Sequence, residues 1–251
     1  MRQPCDERGT RAVARKSDER PPQLKIAADL RAKIMSGELE PGQKLPSTAE
    51  LAATYGAAAA TAHNATKLLQ AEGFAYGQAG KGVFVRDRRP FVVRTAAYFD
   101  PAERGVTYRL LDVAEVDAPK PVAAELGEDR AVLRQRLMLR DEEPLEVSWS
   151  YYPHSLVAGT ALRRRGRIPG GAPAVLAELG YPEREFTDSL SVRPPTTEEA
   201  ELLQLPEGIP VIRQFRVVYS TEARPVEASI LIKGGHLYEL KYQQPIPGEG
   251  S

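Results

Sequence analysis

The chain has 251 residues, 42% of them hydrophobic and 27% charged, which is enough apolar material to bury a real core and excludes wholesale disorder. Its 34 basic and 34 acidic side chains cancel, yet residues 1–90 carry 15 Lys/Arg against 10 Asp/Glu and the remainder 19 against 24, the arithmetic of two domains with different partners. The single Cys5 excludes a disulfide framework and a cysteine-rich metal site, and no run is apolar enough to span a bilayer; the reading is a cytoplasmic protein with no membrane partner.

Residues 1–20 are charged and aperiodic and read as a disordered arm; their six Lys/Arg could touch phosphates, but a solvated tail is the simpler account. From Pro22 to Ser36 the spacing predicts a helix with Leu24, Ala27, Ala28, Leu30 and Ile34 on one face, closed by Gly37. Pro41-Gly42 predicts a turn. Ser47-Thr48-Ala49-Glu50 fits a capping box opening a short helix that ends at Tyr55-Gly56. A third helix runs from about Ala58 to Glu72, with 61, 65, 68 and 72 along its inner side and 60, 64 and 67 outward. Two short β-like runs, Phe74–Tyr76 and Val83–Val85, joined by a glycine-rich turn at 77–82, read as a hairpin. Two helices, a tight turn, a third helix and a hairpin make a helix-turn-helix with a wing.

A polar stretch ending in Pro90 marks the domain boundary, giving 1–20 as arm, 21–87 as the first domain, 88–245 as the second and 246–251 as a tail. The second domain has β-like segments at 91–93, 108–116, 132–139, 145–151, 186–192, 211–219 and 226–232, and helical ones at 119–126, 172–180 and 196–205. That mixture is α+β with a largely antiparallel sheet. An internal echo runs through it. Ala124-Glu125-Leu126, Val132-Leu133-Arg134-Gln135 and Pro144-Leu145-Glu146-Val147-Ser148 recur as Ala200-Glu201-Leu202, Val211-Ile212-Arg213-Gln214 and Pro225-Val226-Glu227-Ala228-Ser229. A duplicated helix–hairpin unit, its two hairpins side by side in one sheet, accounts for it.

Leu45-Pro46-Ser47 with Glu50-Leu51-Ala52, Leu68-Leu69-Gln70-Ala71-Glu72-Gly73 and Gly80-Lys81-Gly82-Val83-Phe84-Val85 resemble a GntR-type winged helix-turn-helix over roughly 23–86. Arg136-Leu137 with Asp141 and Pro144, Ser150-Tyr151-Tyr152-Pro153 and Arg224-Pro225-Val226-Glu227 resemble the UTRA ligand-sensing domain of the HutC subfamily, whose fold is similar to chorismate lyase. The resemblance implies a bacterial one-component transcription regulator: a homodimer, a repressor of double-stranded operator DNA, tuned by a small-molecule effector and needing no cofactor.

In that family arginines usually stand just after the cap of the third helix, four residues on, and in the preceding helix; the matching positions here are Ala59, His63 and Ala49. The remaining candidates for DNA contact are Ser47, Thr48, Thr61, His63, Asn64, Lys67, Gly80, Lys81 and Gly82. Asn64 has the groups to pair bidentately with adenine, while Lys67 and Lys81 can neutralise phosphates. Thr61 is equally a core-edge residue, and His63 and Asn64 could be a plain exposed face. The resemblance places effector contacts at Arg136, Ser148 and Glu227. A second arginine used by phosphosugar-binding relatives falls on Met138, which points to a neutral or carboxylated effector. An ion pair of Arg136 with Glu227 has equal standing with a ligand role. Alternation puts Leu145, Val147, Trp149 and Tyr151 on one side of a strand and Glu146, Ser148 and Ser150 on the other, with Trp149 in the core.

Enzyme signatures are lacking. There is no nucleophile elbow, phosphate loop or dinucleotide fingerprint, and His63, His154 and His236 have no metal-ligand spacing. The alternatives are a winged-helix protein-interaction module, or a degenerate regulator with weak DNA binding, favoured by Ala57–Ala60, and less readily a chorismate-lyase-like enzyme.

Overall fold

The computed structural model describes residues 19–87, 91–94 and 106–241, and it divides at Asp87/Arg88 into two compact units. The bulk of the N-terminal arm and the whole C-terminal tail fall outside the described residues.

In the first unit, α1 (Pro22–Met35) starts with a proline whose missing N–H costs nothing in the first turn. Its buried side is Ile26, Ala27 and Leu30. Leu24, expected inside, is exposed, because the face that meets the other helices is centred one position round. α2 (Thr48–Tyr55) has the full capping box: Glu50 N–H donates to Ser47 Oγ at 3.2 Å, and Ser47 N–H donates to Glu50 Oε2 at 2.7 Å. These bonds, the backbone one foremost, hold the Glu50 carboxyl below its usual range. α2 closes on Gly56 in the left-handed region. α3 (Ala59–Ala71) buries Ala62, Ala65, Thr66 and Leu69. This corrects the expected inner line: 61 and 68 lie at its border, and Glu72 is the C-cap rather than a core residue. Glu72 instead takes Arg31 of α1 in a forked ion pair, while Tyr55 of α2 donates to Asp29 of α1 at 2.8 Å.

The hairpin is β1 (Ala75–Gln78) with β2 (Gly82–Val85). The stretch read as a plain turn also joins it: Leu45 N–H donates to the Val83 carbonyl and Val85 N–H to the Gln43 carbonyl. The wing is thus anchored in front of α2 by a third extended segment.

In the second unit, six antiparallel strands form one sheet in the order β4-β5-β6-β9-β8-β7. These are β4 (Val106–Asp117), β5 (Arg130–Arg140), β6 (Glu143–Pro153), β7 (Glu185–Arg193), β8 (Val211–Tyr219) and β9 (Pro225–Gly234). The hairpins β5–β6 and β8–β9 meet along β6–β9, with Ser150 opposite Ser229, so the duplicated unit lies side by side as the echo implies. A helix precedes each hairpin, α4 (Lys120–Leu126) and α7 (Thr197–Leu202). α5 (His154–Val157), a 3-10 turn at Ala161–Arg163 and α6 (Gly171–Glu178) follow β6. Outside the main sheet, β3 (Phe91–Arg94) and β10 (Tyr238–Lys241) pair in parallel. Sequence reading found neither β10 nor α5; both are four residues long, too short to show a period.

Candidate functional site

In the first unit the outward side of α3 carries Ala59, Ala60, His63, Asn64 and Lys67, all exposed. Thr61 is half-buried, and Thr66 turns inward, its hydroxyl donating to the His63 carbonyl at 2.8 Å. Ala58 caps the helix with no side-chain bond; Thr61 N–H turns to the Ala58 carbonyl at 2.9 Å, which leaves the N–H groups of Ala59 and Ala60 as the first-turn donors open to an acceptor. Ser47 is exposed and Thr48 half-buried at the start of α2. The tip of the wing is a turn closed by Lys81 N–H on the Gln78 carbonyl, with Gly80 at φ 72° and Lys81 exposed. Gly82 has φ 120°, and a Cβ there would stand 2.7 Å from Lys44 Cε. Glycine therefore lets Lys44 lie across the wing, adding a third cation that sequence reading missed; only the pairing of Lys44 with Phe84 reveals it. Exposed candidates thus come from α2, α3 and the wing, and the buried Thr66 and half-buried Thr61 frame them.

In the second unit, strand alternation gives the sheet two unlike buried faces. On one, Val147, Trp149 and Tyr151 of β6 join apolar clusters with Leu137, Ala228 and Ile232, next to residues of α4 and α7. Trp149 is part of that core, as expected. Leu145 is not: the register shifts between Met138 and Leu139, and Leu145 crosses to pack with Met138 and Tyr238. The opposite face is polar. It presents Arg134 of β5, Ser148 and Ser150 of β6, Glu227, Ser229 and Lys233 of β9, and Gln214 and Arg216 of β8, all buried. Burying so many polar groups is tolerable only when each finds a partner.

Their partners make three groups. Arg134 donates to the carbonyls of Leu162 and Arg164, each at 2.9 Å, and of Gly166 at 3.1 Å, which fixes the turn after α5. Arg216 grips Asp188 of β7 with two bonds of 2.7 and 2.6 Å and stacks on Phe186. Lys233 lies 2.8 Å from Glu146, to which Tyr238 also donates. Between them runs a hydroxyl relay. Arg136 Nη2 donates to Ser150 Oγ at 2.8 Å, Ser150 and Ser229 share a hydrogen at 2.7 Å, and Ser229 donates to Glu227 Oε1. Two of the expected effector residues, Arg136 and Glu227, are thus joined through two serines. Ser148 lies opposite Arg136 on the same face. Sequence reading missed Ser150, Ser229, Tyr152 and Glu183 in this neighbourhood. Ser150 and Ser229 were reachable from the echo and the alternation, whereas Glu183 lies in an irregular link with no period to betray it.

Among the described residues no group of three or more His, Cys, Asp or Glu is placed to hold a metal, and no helix is long and apolar enough to cross a membrane.

Residues 22–85 match the profile of bacterial regulatory proteins of the gntR family, and residues 102–239 match the UTRA domain. The HTH-type transcriptional regulator SCO4628 of Streptomyces coelicolor is 28% identical over 239 residues, spanning 85% of this chain and 89% of the relative. The HTH-type transcriptional repressor NagR of Bacillus subtilis is 26% identical over 232 residues, 85% of this chain and 90% of its own. A crystal structure of a GntR-family transcriptional regulator superposes with TM-score 0.62 at 26% identity, covering 91% of this chain and 99% of that one.

Proposed function

Because this chain belongs to the GntR-family transcription regulators that carry a UTRA domain, and is therefore a DNA-binding regulator with an effector-binding second unit, we propose how the labour is divided among its residues. Asn64 reads a base edge, with His63 beside it. Lys67, Lys81 and Lys44 neutralise phosphates, and the uncapped N–H groups at the start of α3 and the hydroxyls of Ser47 and Thr48 take further phosphate oxygens. Thr61 lies at the edge of that surface, and Gly80 and Gly82 let the wing backbone come close to the duplex. With alanine at 49 and 59, direct readout is thin. DNA shape supplies much of the specificity.

The effector lies on the polar face of the six-stranded sheet, where Arg136, Ser148 and Glu227 bind it. The observation that carries this is the buried relay from Arg136 through Ser150 and Ser229 to Glu227. Met138 in place of a second arginine sets phosphosugars aside. The protein acts as a cytoplasmic homodimer and performs no catalysis; it is a repressor, the one role that the name of the Bacillus relative prints. Effector binding re-orients the two heads of the dimer and breaks their match to a two-fold operator.

The test is binding of the full chain to its own upstream DNA by fluorescence anisotropy. Asn64→Ala is expected to weaken specific binding by about 1–3 kcal/mol, with little effect on random duplex. Unchanged specific binding would remove α3 from the groove. Ala57–Ala60 and the uncapped α3 favour a second reading, a protein-interaction surface; absence of any DNA shift at low salt would favour it.

A further inference from the structure

The chain that leaves the first unit is held by β10. The units divide at Asp87/Arg88, and β3 begins at Phe91, its four residues in parallel register with Tyr238–Lys241. The next strand, β4, starts at Val106. A pair of four-residue strands does not stand alone in water. β10 must therefore be fixed to the main sheet, and the end of the sheet that it meets is charged.

Lys233 of β9 is 1% exposed. An ammonium buried that deeply is tolerable only when paired. Its partner is Glu146, opposite it on β6, with Nζ 2.8 Å from Oε2. Tyr238 of β10 engages both groups. Its hydroxyl donates to the same Oε2 at 3.3 Å, and the Lys233 Nζ lies 5.4 Å from the centroid of its ring. Burial first, and then the Glu146 carboxylate, push the Tyr238 hydroxyl up, so it keeps the hydrogen it donates. The same ring packs with Met138 and Leu145. The turn between β9 and β10 is pinned as well: Gly235 N–H donates to the Pro210 carbonyl at 2.9 Å, and a Cβ at Gly235 would stand 2.8 Å from that oxygen.

We infer that Lys233, Glu146 and Tyr238 form a latch that fixes β10, and through it β3, so that the tether of the DNA-binding unit ends at Phe91 rather than at Val106. The consequence for DNA rests on the homodimer reading given above. In a dimer that grips a two-fold operator, the second head binds at an effective concentration that falls as its tether lengthens. Opening the latch therefore loosens the operator grip without touching α3 or the wing. The latch also stands on the face where the effector is placed, since Glu146 is two residues before Ser148 on the same side of β6.

Hydrogen–deuterium exchange and fluorescence anisotropy on the full chain test this, with the parent beside Tyr238→Phe and the double variant Glu146→Gln/Lys233→Met. The double variant replaces the buried pair by neutral side chains of similar volume, which spares the fold, and urea midpoints check that it does. Amides of 91–94 and 238–241 are expected to exchange several-fold faster in both variants, with those of β4 and β7 as in the parent. Affinity for the upstream DNA should fall on the order of tenfold in the double variant and less in Tyr238→Phe, while a duplex cut at the centre of the footprint, which engages one head, is bound as by the parent. Parent-like exchange in both variants would overturn the latch. Faster exchange with unchanged affinity for the whole footprint would overturn its hold on the heads, and so would an equal loss on the cut duplex. A parent chain that fails to bind the upstream DNA at all would sink the regulator reading and the consequence for DNA together, while the exchange data still decide for or against the latch itself.

Discussion

Ser47 and Glu50 satisfy each other's backbone N–H groups, and nothing else in α2 can replace that exchange because the helix has only eight residues. Ser47→Ala is expected to lower stability by about 1 kcal/mol, read as a shift of the urea midpoint at constant slope. Glu183 gives a second test at this scale. Its carboxyl titrates in the ordinary range when unfolded and near 7 when folded, so the folded protein binds more protons between the two values. The stability it supports is complete below the lower value and declines as pH rises to the upper one. Melting temperatures followed from about pH 5 to about pH 7.5 should fall more in the parent than in Glu183→Gln. Parallel curves would place the carboxyl in water. The two residues differ in legibility. The capping box announces itself by a hydroxyl and a carboxylate three positions apart. Nothing local marks Glu183, whose burial comes from strands far along the chain.

At the scale of elements, Arg134 is a buried guanidinium that donates to three backbone carbonyls of one turn. That turn carries Arg163, Arg164, Arg165 and Arg167 on its exposed side. Arg134→Leu leaves those carbonyls without their charged donor and is expected to destabilise the protein by about 3 kcal/mol. Limited digestion with trypsin should then cut first between 163 and 168. Uniform resistance there would mean that the turn is held by other contacts. Most strands were readable from alternation because one face of the sheet is apolar. The bulge at Met138 was not, since one extra residue flips Leu145 without altering the pattern of residue types. The inner side of α3 was misplaced by one position for a related reason: alanines and threonines surround it, and small residues mark a helix face weakly.

Across the whole molecule, the basic surplus lies in the unit that carries α3 and the wing. DNA affinity of the full chain should therefore fall linearly in log–log form with salt, and Lys67→Ala should reduce that slope by about 1 while weakening specific and random DNA alike. A slope equal to the parent's would remove Lys67 from the phosphates. The duplicated helix–hairpin unit has a consequence at this scale too. Its two copies join along β6 and β9, so the hydroxyls Ser150 and Ser229 face each other at the seam. The relay from Arg136 to Glu227 crosses from one copy to the other, and neither copy alone could assemble it.

Periodicity, caps and turn residues, read along the chain, were sufficient for the winged helix, the six strands of the main sheet and the side-by-side hairpins, because each depends on residues close together or on a repeat. Arg136, Ser148 and Glu227 came instead from the family resemblance, which no local spacing supplies. The partners of those residues were decided in three dimensions. Whether Arg136 reaches Glu227 through Ser150 and Ser229, whether Lys44 lies over the wing, and whether Glu183 keeps its proton all depend on which distant segments exclude water from which side chain, and contacts of that kind leave no trace in local spacing.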